Sequence, residues 1–316
     1  MDLRGIEVFI RVAELGSITR ASRDLGIVQP ALSRHIQRIE SELGVPLLVR
    51  MPRGVQLTLA GRRFLEHGRR ILQEVARAAE DVSAGADSCA GRVVVGLSPT
   101  LSALLTPGLA ERTSATHPRV TLRIVEAFSR TLHAEVADGR VDVALLTNPA
   151  QDKLLRMTPV FTEPMVVVMA PQSRGSSPVI SLPELARTPV ILTDGLRALV
   201  EEQLVSHGVA LSVEMEVDSV EAIRRMLLRG YAAASIMPIS AFRDDIDAGR
   251  LLAVPVGGIN LSRTIVMAHL VGEVSATVNA ISALLRAEVD GLAERGVFST
   301  PADPPPLFRQ APRRIA

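Results

Sequence analysis

A small helical domain with a β hairpin, joined through one long helix to a larger α/β domain, is the fold class this sequence predicts. Three patterns carry the prediction. Apolar residues recur at helical spacing from the first residues onward and are punctuated by Gly16, Gly26 and Gly44. An unbroken helical stripe then runs from Thr58 to before Gly85. From Val93 short apolar runs alternate with amphipathic segments, the texture of strands and helices in turn. With 316 residues, 47% of them hydrophobic, the chain is long and apolar enough for two or three folding units.

Leu3, Ile6, Phe9, Ile10 and Ala13 fall on one face of a first helix. Ser17 is placed to cap a second helix over 18–25, and Gly26 to end it in the left-handed region. Gln29-Pro30 opens a third helix, with proline in the first turn, where no N–H is needed. Leu32, Ile36, Ile39 and Leu43 form its buried stripe, while Gln29, Ser33, Arg34 and Gln37 lie mainly off it. A helix, a short glycine-containing turn and a second helix with such an outer face match a helix-turn-helix. The same spacing also suits a solvated helix in an ordinary bundle.

Residues 45–57 hold two short apolar runs around Arg50-Met51-Pro52-Arg53-Gly54, a hairpin with arginine at its tip. Behind a recognition helix such a hairpin is a wing that touches backbone or minor groove. The following helix, of roughly 28 residues, spans about 40 Å. One small domain cannot cover that length, so part of its stripe should pack on a partner chain.

Charge adds a modest argument. The chain has 35 basic and 34 acidic residues, but residues 1–70 hold twelve arginines against seven acids. Arginine suits phosphates and guanine edges. Lys153 is the single lysine, though, and a bias that spreads over the whole chain reads first as base composition of the genome.

Other chemistry is sparse. Cys89 is the sole cysteine, which excludes intrachain disulfides and cysteine-rich zinc sites and leaves a redox switch without a resolving partner. His35, His67, His117, His133, His207 and His269 show no ligand-like pairing, so neither metal nor cofactor is expected. Phosphate-loop, dinucleotide and nucleophile-elbow motifs are absent. Asp218 with Glu221, or Asp244 with Asp245, could be paired acids and bases, but carboxylates at helix starts are commonly dipole partners. No enzyme is expected. The N-terminal residues lack a signal peptide's apolar stretch, and no apolar run approaches the roughly 18 residues of a membrane span. The expectation is a soluble, cytoplasmic protein without membrane contact.

The segments Gly16-Ser17-Ile18-Thr19-Arg20-Ala21-Ser22, Gln29-Pro30-Ala31-Leu32-Ser33-Arg34-His35-Ile36, Glu40-Ser41-Glu42-Leu43-Gly44-Val45-Pro46-Leu47-Leu48 and Arg53-Gly54-Val55-Gln56-Leu57-Thr58-Leu59-Ala60-Gly61 resemble the LysR-type transcriptional regulators. The resemblance runs without a gap through residues 1–90. Family members usually carry Phe-Glu-Arg in place of Leu48-Val49-Arg50, and Ser in place of Val28. The Leu-Leu-Val-Arg run and the following Arg-Gly-Val are similar to the nitrogen-assimilation-control subgroup.

The family implies a winged helix-turn-helix over 1–58, a dimerisation helix and hinge over 59–91, and an effector domain over 92–296. That domain would be of periplasmic-binding-protein type, with one subdomain from 92–161 and 266–296 and the other from 162–265. The Pro-rich tail 297–316 should be disordered or an extended strap. Strands are expected over 92–97, 121–128, 141–147, 164–170, 189–193, 213–218, 232–237 and 263–271, in parallel sheets. Helices are expected over 101–115, 130–138, 196–207, 219–229, 239–248 and 274–293.

Expected DNA contacts are Ser17, Thr19, Arg20, Gln29, Pro30, Ser33, Arg34, Gln37, Arg38, Arg50 and Arg53, on double-stranded DNA. Ser98, Thr100, Leu101, Ser129, Thr147, Thr193 and Arg197 should line an effector pocket at strand ends and helix N-termini, with Ile236 and Met237 across the cleft. Hydroxyls, N–H groups and one arginine suit a small organic acid such as a carboxylate; the same Ser and Thr residues could be helix caps only. A homodimer is expected, with a homotetramer built from it, and RNA polymerase is a further partner the family allows. The competing reading is a small-molecule binding protein or enzyme whose N-terminal helices serve assembly only.

Overall fold

The computed structural model describes residues 1–52, 54–84, 89–173, 178–231, 233–272 and 274–298, side chains at 77, 80–84 and 173 excepted. They fall into two compact units, residues 1–91 with 137–140, and the residues from Arg92 that remain. Among the described residues no helix is long and apolar enough to cross a membrane. Part of the expected hinge (85–88), wing residue Arg53 and the tail from 299 lie outside the described residues.

The first unit runs α1 (Leu3–Leu15), α2 (Ile18–Leu25), α3 (Gln29–Leu43), β1 (Leu48–Met51), β2 (Gly54–Leu57) and α4 (Leu59–Ala84). Local chemistry sets each boundary. The Asp2 carboxylate accepts from Gly5 N at 2.7 Å and starts α1. Ser17 Oγ accepts from Arg20 N at 3.3 Å and starts α2. Gly16, Gly26 and Gly44 stop the three helices at positive φ, where a side chain would be strained.

α1 is buried on more sides than its spacing predicted. Ile6, Phe9 and Ile10 pack with Ile39 and Leu47, while Val8 and Val12 pack with Ala21, Leu32 and Ile36. The helix sits between α4 on one side and α2 and α3 on the other. Leu3 and Leu43, expected in the buried stripes, are instead 45% and 43% exposed, because each stands in the terminal turn of its helix.

Glu40 joins α3 to the hairpin by accepting from the backbone N–H of Leu47 (2.7 Å) and Leu48 (3.0 Å). β1 and β2 pair antiparallel from Leu48–Leu57 to Met51–Gly54. Thr58 Oγ1 caps α4 by accepting from Gly61 N at 2.9 Å. Gly61 is required for another reason: a Cβ there would stand 2.0 Å from Leu47 O, a backbone atom that cannot swing aside. Gly61→Ala is expected to lower stability by about 1–3 kcal/mol through forced backbone displacement. Urea denaturation of the two proteins checks this, and equal midpoints would refute the close approach.

The second unit continues β3 (Gly91–Leu97), α5 (Pro99–Thr116), β4 (Val120–Glu126), α6 (Ser129–Ala137), β5 (Val143–Thr147) and β6 (Leu155–Met169). It goes on through α7 (Leu182–Leu185), β7 (Pro189–Leu192), α8 (Asp194–Val205), β8 (Ser212–Glu216), α9 (Val220–Leu228) and β9 (Ser235–Pro238). A 3₁₀ turn at Ile239–Phe242 leads to α10 (Arg243–Asp247), β10 (Leu252–Val254), β11 (Ser262–Leu270) and α11 (Ala276–Glu294).

Two lobes result, each with its own core. The first packs Leu97, Leu101, Leu105 and Leu109 against Ile281 and Leu285. The second packs Val166, Val168, Ile191 and Ile236 against Leu204 and Leu227. β3 pairs parallel with β5, and β7 with β8, as alternation predicts. The sheets are nevertheless mixed, because β6 and β11 run antiparallel to each other over their length and to their other neighbours. These two strands carry the chain between the lobes. β6 starts nine residues before the expected 164, and its first half holds Arg156, Thr158 and Pro159. Pro159 is accommodated beside a register shift opposite Ile265/Val266, the kind of site where a sheet tolerates proline. Phe298, expected in the tail, belongs to the packed fold: the ring is buried against Phe161, with centroids 4.1 Å apart.

Candidate functional site

Two surfaces gather the polar residues singled out above. On the first unit, α3 turns Leu32, Ile36 and Ile39 inward and leaves Gln29, Pro30, Arg34 and Gln37 exposed, with Ser33 half-buried between them. Gln29, Ser33 and Gln37 are spaced by four and share one face. Arg34 and Arg50 are exposed and have no ion-pair partner among the described residues. Thr19 is exposed on α2.

Three other expected contacts are already engaged within the unit. Ser17 Oγ is the cap of α2. An Arg20 guanidinium N–H donates to Leu15 O. Arg38 reaches Glu42 at 3.1 Å and Asp2 at 3.5 Å. Its charge is therefore partly answered inside the protein.

In the second unit a cavity of about 470 Å³ lies between the lobes. Ser98 and Thr100 reach it from the β3–α5 junction, Ser129 from the start of α6, Thr147 from the end of β5 and Thr193 from the start of α8. These junctions put hydroxyls at strand ends and helix N-termini together, as expected for this topology. Their bonds are partly internal. Ser129 Oγ accepts from Thr147 N at 2.5 Å, Thr193 Oγ1 accepts from Leu196 N at 3.3 Å, and Ser98 Oγ lies 3.3 Å from Thr100 Oγ1.

Four expected cleft residues are elsewhere. Arg197 points away from the cavity on α8, where Nε donates to Glu201 at 2.9 Å and another N–H to Glu216. Leu101 is fully buried in the first core, one helical step past the cleft-facing Thr100. Ile236 and Met237 are fully buried in β9, paired across to Val167 and Val166. The side chains of β9 alternate between the two faces of the sheet, and all four of its residues are buried, Ile236 and Met237 in the core of the second lobe.

Arg263, at the start of β11, is one of two arginines on the cavity wall, the other being Arg130 on α6. The Arg263 side chain is 3% exposed and that of Glu163, directly opposite on β6, is 0% exposed. Arg263 Nε donates to Glu163 Oε1 at 2.7 Å and Nη1 to Thr100 Oγ1 at 3.1 Å. Ser240 Oγ donates to the other Glu163 oxygen at 2.7 Å. One buried ion pair on the crossing strands is thus bonded to both lobes, through Thr100 and Ser240. Distance in sequence hid it: a hundred residues separate the partners, and neither sits at a strand-to-helix junction.

Also missed were Arg130 and His133 on α6, and Asp194 and Glu202 on α8, while Asn148 lines the cavity beside Thr147 at the end of β5, where the pattern placed both. Helical spacing from Ser129 reaches His133; Arg130 and Asp194 directly follow a junction residue, and Glu202 lies two turns beyond Asp194. Three of the four acids considered as acid/base pairs serve the backbone or arginines. Asp218 accepts from Asp194 N at 3.1 Å, Glu221 from Arg225 at 2.6 Å, and Asp245 from Arg224 and Arg250. Among the described residues no three His, Cys, Asp or Glu are grouped to hold a metal ion.

Two family models match the chain: the bacterial regulatory helix-turn-helix protein of the lysR family over residues 3–62, and the LysR substrate binding domain over residues 86–290. The HTH-type transcriptional regulator BbuR of Bordetella bronchiseptica is 30% identical over 273 residues, which are 84% of this chain and 83% of BbuR. A full-length OxyR variant from Pseudomonas aeruginosa shares the fold with a TM-score of 0.68 at 24% identity, over 92% of this chain and 94% of OxyR. Full-length CbnR in complex with its target DNA does so at 0.53 and 22% identity, over 92% of this chain and 100% of CbnR. None of these names carries the nitrogen-assimilation-control subgroup that Leu47–Arg50 resembles.

Proposed function

The chain belongs to the LysR family of bacterial helix-turn-helix transcription regulators, and from that premise we propose that α3 reads an operator under control of a small organic ligand in the cleft. The observation that carries the reading is the outer face of α3. Its inner stripe is consumed by the core, so Gln29, Ser33, Arg34 and Gln37 are left with donors and no structural task. Amide and hydroxyl groups match base edges in the major groove, while Arg34, with Arg50 on the hairpin, matches phosphates. Arg20 and Arg38, already bonded within the unit, have less charge to offer.

α4 exposes Leu59, Ile71 and Val75, apolar side chains that a second copy would cover. A two-fold dimer built on that helix presents two α3 helices to half-sites about one turn apart, and a tetramer follows by pairing dimers. The cleft, walled by both lobes, suits a ligand that changes how they close. Its hydroxyls favour an organic acid.

Arg34→Ala is expected to weaken operator binding about tenfold and to flatten the slope of log affinity against log salt by about 0.9, one phosphate contact. Fluorescence anisotropy with the upstream intergenic DNA across a salt titration measures both. An unchanged slope removes Arg34 from the interface. Failure of the whole chain to bind that DNA specifically at low salt, with and without metabolites, defeats the reading itself.

A further inference from the structure

We propose that the ligand of the cleft is a zwitterion: an anionic group and an ammonium group on a short apolar frame. This rests on reading the cleft as the effector site, and narrows the organic acid to an amino acid or a close analogue.

The charges on the two walls differ in sign. On the first lobe α6 turns Arg130 and His133, one helical turn apart, toward the cavity beside Ser129. Arg130 has no ion-pair partner among the described residues, while His133 Nε2 stands 3.4 Å from Asp152. Arg263 adds little net charge, because Glu163 neutralises it. On the second lobe α8 turns Asp194, Ala198 and Glu202 to the cavity at intervals of four residues. Neither carboxylate has a side-chain partner among the described residues.

The same helix shows that this is not simply a solvated acidic surface. Glu201, one residue from Glu202 and off the cavity, is paired with Arg197, which is paired in turn with Glu216. Acids directed away from the cleft are answered by arginine, and those directed into it are not. Apolar side chains of Phe128, Leu196 and Leu199 lie in the same cavity wall.

A simple carboxylate would satisfy the wall of Arg130 and the hydroxyls. It would also bring a third negative charge toward Asp194 and Glu202 while the closing cleft removes their water, which is unfavourable on both counts. An ammonium group directed at α8 answers those two carboxylates, and the anionic group remains with α6. The cavity volume lies within the range that holds one small organic molecule.

Isothermal titration of the full chain tests this with L-leucine and L-phenylalanine, each against its deaminated acid (4-methylpentanoate, 3-phenylpropanoate) and its decarboxylated amine. At least one amino acid is expected to bind tenfold or more tightly than both of its partners. Glu202→Gln should reduce that preference over the acid to less than threefold. Equal or tighter binding of the deaminated acids overturns the zwitterion and leaves the organic-acid cleft standing. Glu202→Gln weakening acid and amino acid alike also overturns it, since the carboxylate would then act in wall-to-wall pairing. Binding by none of the six probes removes the proposed ligand class together with the organic acid.

Discussion

Arg263→Met is expected to destabilise the α/β unit by about 3–5 kcal/mol, the range for breaking a buried ion pair on one side. The size follows from what is left behind. Glu163 is fully buried, and without Arg263 its carboxylate keeps only the Ser240 hydroxyl, at 2.7 Å. A carboxylate in that position must stay charged in low dielectric or take up a proton, and both states cost folding free energy. Thr100 loses its donor as well. Replacing both charged residues by methionine is expected to recover most of the loss, because two apolar side chains leave no orphaned charge. Urea denaturation followed by circular dichroism gives the three values. A single replacement costing less than about 1 kcal/mol would show that Glu163 is wetter than its burial implies. The pair also binds both lobes at the crossing strands, so Arg263→Met should loosen their mutual position; hydrogen exchange at 159–164 and 262–267 reads that directly.

The helical domain was legible because its signals are local. Gly16, Gly26 and Gly44 ended helices for a reason each carries alone, and Pro30 marked a helix start. The exposed face of α3 followed once the buried one was known. The cleft was half legible. Ser98, Thr100, Ser129, Thr147 and Thr193 were found because a strand-to-helix junction is visible in the pattern. Arg197 was misplaced because it was grouped with Thr193 at the junction, although Thr193 is the non-helical cap of α8 and the helix turns 194, 198 and 202 inward. Ile236 and Met237 were misplaced because a short apolar run does not show whether both faces of its strand are covered; in β9 every residue is buried, and these two belong to the core of the second lobe. The Arg263–Glu163 pair needed the register of β6 against β11, which no local signal contains. What the sequence concealed was pairing between distant strands, and the mixed sheets have the same origin.

Asp245→Asn is expected to cost about 3 kcal/mol at neutral pH and progressively less in acid, so the difference between the two proteins should narrow once the pH falls below about 4. The carboxylate is buried and takes Arg224 in a two-point contact, Nε to Oδ2 at 2.5 Å and Nη2 to Oδ1 at 3.1 Å, with Arg250 Nε on Oδ1 at 2.7 Å. Arg224 holds the Asp245 carboxyl below the usual carboxylate range; burial opposes this and Arg250 adds to it. A folded-state pKa lowered in this way stabilises the protein at any pH above the unfolded value of about 3.9, and the stabilisation is lost as pH falls through the folded value. Asparagine offers the two guanidinium groups one neutral acceptor in place of two charged ones, and its amide N–H groups face donors. Arg224 and Arg250 remain partly in water, which keeps the cost at the lower edge of the buried-pair range. Urea midpoints of both proteins from pH 7 down to pH 3 trace the effect. Parallel curves over that range would mean that Asp245 acts by shape and not by charge, and would detach α9 from the pairing that joins it to α10.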